Sequence, residues 1–372
     1  MTARLSRRAA LAAGLPALAT PAIAQSGRTL RMVTSWPRGL DGLATSADRF
    51  AETVTKLSDG ALTIEVFPGG QLVGPFAVHD AVGAGEAEFY HSAEYYFQGK
   101  HRGMNFFTTV PLGFTTAEQD AWISRGGGQA LWDELNAEFN VKALNCGGTG
   151  VQMGGWFAKR IETIDDLRAT VMRIPGLGGQ VLRELDVETV VLPAAGIVEA
   201  LFSGEIGATE WVGPWNDLNF GFQKLLTTYI YPGFHEPGTM AAVGMNLDFW
   251  RGLSPSERQI IETAAQREML LHTSEYYHFN GFALRLLLEE YGVEPTRLPA
   301  PVFATIAEKS REVVASVAED DDLGRRIYES FDAFRSQIMA SVPLSAKGAF
   351  LTNRISGADV LPAVRHPLPM QL

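Results

Sequence analysis

The chain has 372 residues, 46% of them hydrophobic and 20% charged, with a formal net charge of −11. So acidic a surface argues against nucleic acid and anionic lipid as partners. Cys146 is the single cysteine, which excludes an intrachain disulfide and a cysteine-rich metal site.

Arg4, Arg7 and Arg8 precede an apolar, alanine-rich run from Ala9 to Leu18, and Ala22-Ile23-Ala24 follows. This is the n-region, h-region and small-residue cleavage site of a signal peptide over residues 1–24. Arg7-Arg8 just before the apolar run points to the twin-arginine route rather than the general secretory one. The run is too short to span a membrane, and later apolar stretches are broken by charge, Gly or Pro. Cleavage removes three positive and no negative charges, taking the net charge from −11 to −14. An anionic ligand would then need local positive groups or a bound cation to draw it in. The roughly 350 residues that remain can bury the cores of two domains.

Leu30 to Trp36 reads as a strand, and Phe50, Val54 and Leu57 recur at helical spacing after it. Gly60 ends that helix, and Leu62, Ile64 and Val66 alternate as a second strand, completing a βαβ unit. A helix near Pro75 to Val82, a strand from Ala87 to Ser92, helices around Thr116 to Ser124 and Gly128 to Phe139, and a strand from Val141 to Cys146 follow. These elements define an open α/β lobe with a mainly parallel sheet, residues 25–147. A second lobe, 148–239, has strands expected at Met153 to Phe157, Val171 to Ile174, Val187 to Leu192, Gly207 to Val212 and Thr227 to Tyr231. Residues 240–372 hold a returning strand and long helical patterns, Pro255 to Tyr291 and Val302 to Val317, with an acidic break at Glu319 to Asp322 before another helix.

No nucleophile elbow, zinc helix or Walker loop occurs, so no catalytic residue is expected. Gly176-Leu177-Gly178-Gly179 places Val181 where a dinucleotide fingerprint needs glycine, and reads as a strand-to-helix turn. The histidines are scattered, and His272 and His278 are not one helical turn apart. Arg173 is different: it lies among apolar neighbours at a strand end before Pro175-Gly176. It cannot shed its proton, and its planar fork matches a carboxylate. That carboxylate is either a protein ion-pair partner or a bound organic acid, and position at the carboxyl end of a strand favours the acid. Glu210 and Trp211 close another strand, Gln152 begins the second lobe and Glu236 follows Tyr231-Pro232. Oxygens gathered near that arginine would repel an acid unless a hard cation, Na⁺ or Ca²⁺, lay between them. Trp211 is core or site; Tyr95 and Tyr96 could face the cleft from the first lobe or simply pack.

Glu88-Phe89-Tyr90-His91-Ser92, Gln152, Met172-Arg173-Ile174-Pro175-Gly176, Glu210-Trp211 with Gly213-Pro214, and Tyr231-Pro232-Gly233 before Glu236 resemble the solute-binding component of tripartite ATP-independent periplasmic (TRAP) transporters, the DctP family. The branch most similar binds 2-oxo and 2-hydroxy acids with a metal ion. The resemblance implies a two-lobed periplasmic-binding-protein fold, α/β with a helical C-terminal region, and a periplasmic location. It implies that Arg173 pairs with the substrate carboxylate, with Gln152, Trp211, Glu236 and Tyr95 also at the substrate. It makes Gln152, Glu210, Trp211 through its backbone carbonyl, and Glu236 the holders of Na⁺ or Ca²⁺. It further implies hinge closure, delivery to a membrane permease and a homodimer made by exchanging a C-terminal helix. Other readings are a receptor for an aromatic or dicarboxylic acid, a receptor feeding a sensor protein, and an exported enzyme using Glu210 or Glu236 as base.

Overall fold

The computed structural model describes residues 27–341; the signal peptide read over 1–24 and the stretch from Pro343 to Leu372 lie outside the described residues. β1 (Arg28–Thr34) exposes Arg31 between buried Leu30 and Met32, and α1 (Leu43–Leu57) returns across it with Phe50 and Val54 fully inside. Burial of each such side chain contributes about 1.5–3 kcal/mol. β2 (Leu62–Phe67) pairs parallel with β1, Leu62 opposite Arg28, which completes the expected βαβ unit. α2 (Val78–Gly83) leads to β3 (Phe89–Ser92), again parallel to β1. Two 3-10 turns, Glu94–Phe97 and Arg102–Phe107, follow. Elements this short carry no periodicity and leave no trace in the sequence pattern. α3 (Thr116–Arg125) opens with a Thr115–Glu118 capping box, and α4 (Gly128–Ala137) precedes β4 (Val141–Gly148). Trp122 and Trp132 stack on the two sides of Phe107, at 5.6 and 5.1 Å between centroids.

The second lobe runs β5 (Gly155–Phe157), α5 (Ile164–Arg168), β6 (Met172–Arg173), α6 (Gly176–Arg183), β7 (Thr189–Val190), α7 (Ala194–Ser203), β8 (Ala208–Thr209), α8 (Pro214–Phe220) and β9 (Thr228–Ile230). Its sheet order is β7-β6-β8-β5-β9, with β6 parallel to both neighbours and β5 antiparallel to both of its own. These strands are shorter than their apolar patterns suggest. The flanking residues keep single cross-links, such as Glu210 N–H to Arg173 O at 3.2 Å, without a continuous ladder.

β10 (Met240–Asn246) then returns to the first sheet and inserts antiparallel between β3 and β4, giving the order β2-β1-β3-β10-β4. α9 (Leu247–Gly252) leads to α10 (Pro255–Glu289), whose first turn is closed by a Ser254–Glu257 capping box. α10 packs on β4 and α1 of one lobe and on α8 of the other. α11 (Ala300–Ala315) lies on α6, and α12 (Asp322–Met339) packs back on α3 and α4. Asp321, from the acidic break, caps α12 by accepting from Gly324 N–H at 2.7 Å.

The chain passes between the sheets through residues 149–154 and 231–239, which lie side by side. Thr149 N–H donates to Thr239 O (3.0 Å), Gln152 N–H to Glu236 O (3.2 Å) and Gly233 N–H to Gln152 O (3.0 Å). These crossings bring Gln152 and Glu236, 84 positions apart in the sequence, to one place.

Candidate functional site

Arg173 ends β6 in the middle of the second sheet, fully buried. Its Nε donates to Leu192 O (3.1 Å) and its Nη1 to Glu210 O (3.1 Å) and to the Glu210 carboxylate. Its Nη2 has no partner, and the guanidinium lies 5.1 Å from the Trp211 ring centroid. Burial opposes the charge, but Glu210, then Tyr96 and Tyr95, outweigh it, so the arginine pKa rises further. Of the two sequence alternatives for Arg173, the structure shows the protein ion-pair partner, Glu210, with Nη2 left without a hydrogen-bond partner. A guanidinium wholly available to a ligand is not what forms, because an unpaired charge in this sheet would be far too costly.

Glu210 is 1% exposed; its Oε2 lies 3.3 Å from His235 Nε2 but outside hydrogen-bonding alignment. Glu236 is 2% exposed and accepts from the Thr239 hydroxyl; burial and then the Glu210 charge push its pKa up. Gln152 donates through Nε2 to Thr149 Oγ1 (3.2 Å) and Thr239 Oγ1 (3.0 Å), which leaves its Oε1 buried without a partner. Tyr95 and Tyr96 sit on the 3-10 turn after β3, their rings edge to face at 4.7 Å. Tyr95, Tyr96, Gln152 and Trp211 line a narrow cavity between the lobes together with Trp36, Leu43 and Ala241. Its volume is about 20 Å³, room for little more than a water molecule until the lobes part. Trp211 is thus a cavity wall as well as a packing residue: its Nε1 is unpartnered and its ring meets Phe220 edge to face at 5.5 Å.

His235 was missed by sequence reasoning. The scattered spacing of the histidines hid it, although it directly precedes Glu236. Glu210, His235 and Glu236 each present a ligand atom within 4.8 Å of the others, and all three are buried. Burial works against an imidazolium here, yet Glu210 and Glu236 outweigh it and raise the His235 pKa. The glycine run at α6 makes room for this ring: a Cβ on Gly178 would lie 2.6 Å from His235 Cβ.

Among the described residues fourteen buried side-chain polar atoms lack a partner, and six belong to Gln152, Arg173, Glu210, Trp211 and His235. Each such atom costs about 1–3 kcal/mol, so their concentration at one point marks a place built to bind something. The unpartnered set combines one guanidinium nitrogen with carboxylate and amide oxygens. That donor chemistry fits an acid on the arginine side and a hard cation on the oxygen side.

Two sheets joined by paired crossings, with a buried arginine and a cluster of oxygens where the crossings meet, define a two-lobed periplasmic binding protein. The chain belongs to the family described as bacterial extracellular solute-binding protein, family 7 (DctP), which matches residues 38–321. The protein is periplasmic, and no helix among the described residues is long and apolar enough to cross a membrane. It is 39% identical over 310 residues to a monocarboxylate 2-oxoacid-binding periplasmic protein of Nostoc, covering 83% of this chain and 85% of that one. A TRAP solute-binding protein of Bordetella bronchiseptica, a dimer with copurified calcium and picolinate in its active site, superposes with a TM-score of 0.87 at 32% identity, covering 90% of this chain and 99% of that one. A Pseudoalteromonas atlantica counterpart with bound sodium and pyruvate gives 0.84 at 33%, covering 87% and 98%.

Proposed function

We propose that the protein captures a small 2-oxo or 2-hydroxy monocarboxylate, pyruvate- or lactate-like, together with Na⁺ or Ca²⁺, and delivers it to a TRAP membrane permease. The observation that carries this reading is that Arg173 Nη2, Glu210 Oε2 and Gln152 Oε1 are all buried without a hydrogen-bond partner. In this reading Nη2 takes the acid's carboxylate while Nη1 stays on Glu210. Gln152 Oε1, Glu210, Glu236 and the Trp211 carbonyl hold the cation, which supplies positive charge against which the acid's oxygens can rest. Tyr95 presents its hydroxyl; burial and Glu236 hold its pKa well above the ordinary phenol value, so it stays a donor. His235 Nε2, 3.3 Å from Glu210 Oε2, stands next to the cation's oxygen ligands.

The lobes 25–147 and 148–239 close about the paired crossings, excluding water and strengthening each polar contact. The relatives support the ligand class, since the Nostoc protein is named for 2-oxoacids and the Pseudoalteromonas protein holds pyruvate with sodium. Membership of a solute-binding family supports capture without turnover, and the dimeric Bordetella relative supports a homodimer. Titration calorimetry with pyruvate and lactate, with and without a chelator and in sodium-free buffer, tests the proposal. Saturable binding that weakens when cations are withdrawn, with ligand recovered unchanged, is the expected result. Binding indifferent to every cation would remove the metal, and conversion of the acid would replace the receptor with an enzyme.

A further inference from the structure

We propose that the segment from Trp36 to Leu43 is a lip that closes over the bound acid and gauges the length of its carbon chain, with the Asp41–Asn219 hydrogen bond as its latch. The inference rests on the reading above, in which a small acid occupies the cavity whose wall, Trp211, separates it from the body of Arg173.

Both ends of the segment face that cavity: Trp36 and Leu43 form its apolar wall. Trp36 is fixed, because its Nε1 donates to His91 Nδ1 at 2.8 Å. Between the two ends the chain leaves the first lobe's body and touches the second. Asn216 Nδ2, on α8, donates to Asp41 O at 3.0 Å, and Asn219 Nδ2 donates to Asp41 Oδ2 at 2.9 Å. Asn216 is held in turn by Tyr276, whose hydroxyl donates to Asn216 Oδ1 at 2.6 Å. Gly42 turns the chain with φ 75°, and a Cβ there would come within 2.5 Å of the Tyr276 hydroxyl oxygen. At Asp41 and Gly42 the lip therefore seats against the joint surface of α8 and α10.

The latch and the anion clamp share one short stretch of chain. Phe220, next to Asn219, packs edge to face on Trp211, and Trp211 lies over the Arg173 guanidinium. An acid gripped at Arg173 would turn its carbon chain toward apolar Trp36 and Leu43, which line the same cavity as Trp211. A one- or two-carbon tail leaves the lip seated. A longer tail pushes Leu43 outward and draws Asp41 away from Asn219, so selection by size appears in the dissociation rate.

The test uses the exposed position Asn219 first, where folding is not at stake. In Asn219→Ala the dissociation rate of pyruvate should rise about three- to tenfold, the effect of one hydrogen bond, with the association rate nearly unchanged. In Leu43→Ala the affinity of 4-methyl-2-oxopentanoate relative to pyruvate should rise about tenfold or more, because the tail wall recedes. A third measurement needs no ligand. The amides of Leu43 and Ala44 are hydrogen-bonded inside the lip, to Asp41 O (3.0 Å) and Leu40 O (2.9 Å). Their hydrogen exchange in the free protein should accelerate in Asn219→Ala. Unchanged exchange there overturns the latch even if no 2-oxo acid binds the wild type, a result that would sink the ligand reading separately. Wild-type binding with dissociation rates and chain-length preference unaltered in both variants overturns the lip while leaving the ligand reading intact.

Discussion

Replacing Arg173 by methionine separates the two duties of the guanidinium. The side chain is buried and paired through Nη1 with Glu210, itself 1% exposed. Arg173→Met strands that carboxylate without its ion-pair partner, which costs about 3–5 kcal/mol of folding stability. Adding Glu210→Gln removes the stranded charge, so the double variant should regain most of that loss, since an apolar chain beside a neutral amide suits a dry interior. Ligand affinity should behave otherwise. In both variants the acid loses the Nη2 donor of Arg173, the one arginine buried among the described residues, worth about 2–5 kcal/mol, or a factor of roughly 30 to several thousand in Kd, and the double variant also loses Glu210 as a cation ligand. Urea unfolding reads the first effect and calorimetry with pyruvate the second. The expected pattern is a double variant near wild type in stability but failing to bind. A double variant that binds pyruvate within about threefold of wild type would refute the reasoning, because charge attraction of this size cannot vanish unnoticed.

Asp217 is fully buried, and burial pushes its pKa up to about 7 despite hydrogen bonds from Tyr229 and Trp156. The folded protein thus holds a proton that the unfolded chain, with an ordinary carboxylate near 4, releases. Stability from this group is present at low pH and declines as pH rises from about 4 to about 7. The urea midpoint of Asp217→Asn relative to wild type should therefore improve from pH 5 to about pH 7 and then level off, and parallel curves would refute the assignment. His91 and His272, both driven down to about 3 by burial, act in the opposite sense, removing stability as pH falls below about 6.5 toward 3. Gly178→Ala forces its Cβ against His235 and should cost about 1–3 kcal/mol while loosening cation-dependent binding; a variant as stable as wild type would show that α6 can shift freely. Changing Arg7 and Arg8 to lysine should strand the precursor inside the membrane if export is by the twin-arginine route, and mass spectrometry of wild type should find Gln25 as the new N-terminus.

Local pattern made much of this protein readable from its sequence. The βαβ start follows from the alternation of Leu62, Ile64 and Val66 and the helical spacing of Phe50 and Val54, because periodicity reports which face of an element is buried. Arg173 stood out because a permanent charge among apolar neighbours at a strand end needs an anionic partner nearby. The resemblance of short segments around Gln152, Glu210 and Glu236 singled out those positions, and the fold places Gln152 and Glu236 on the crossings with Glu210 3.3 Å from His235. His235 escaped because nothing in its spacing from other ligands marks it; only the approach of α6, permitted by Gly178, sets it against Glu210.

The sequence by itself determined the α/β class and singled out the candidate arginine, since each depends on residues adjacent in the chain. Tertiary structure alone decided that Arg173 divides its donors between Glu210 and an open position, that β10 inserts between β3 and β4, and that Asp41 reaches Asn219 across the lobes. Those outcomes depend on pairings between residues far apart in sequence, whose partners are chosen by burial and by the need to satisfy every polar group inside, not by any local pattern.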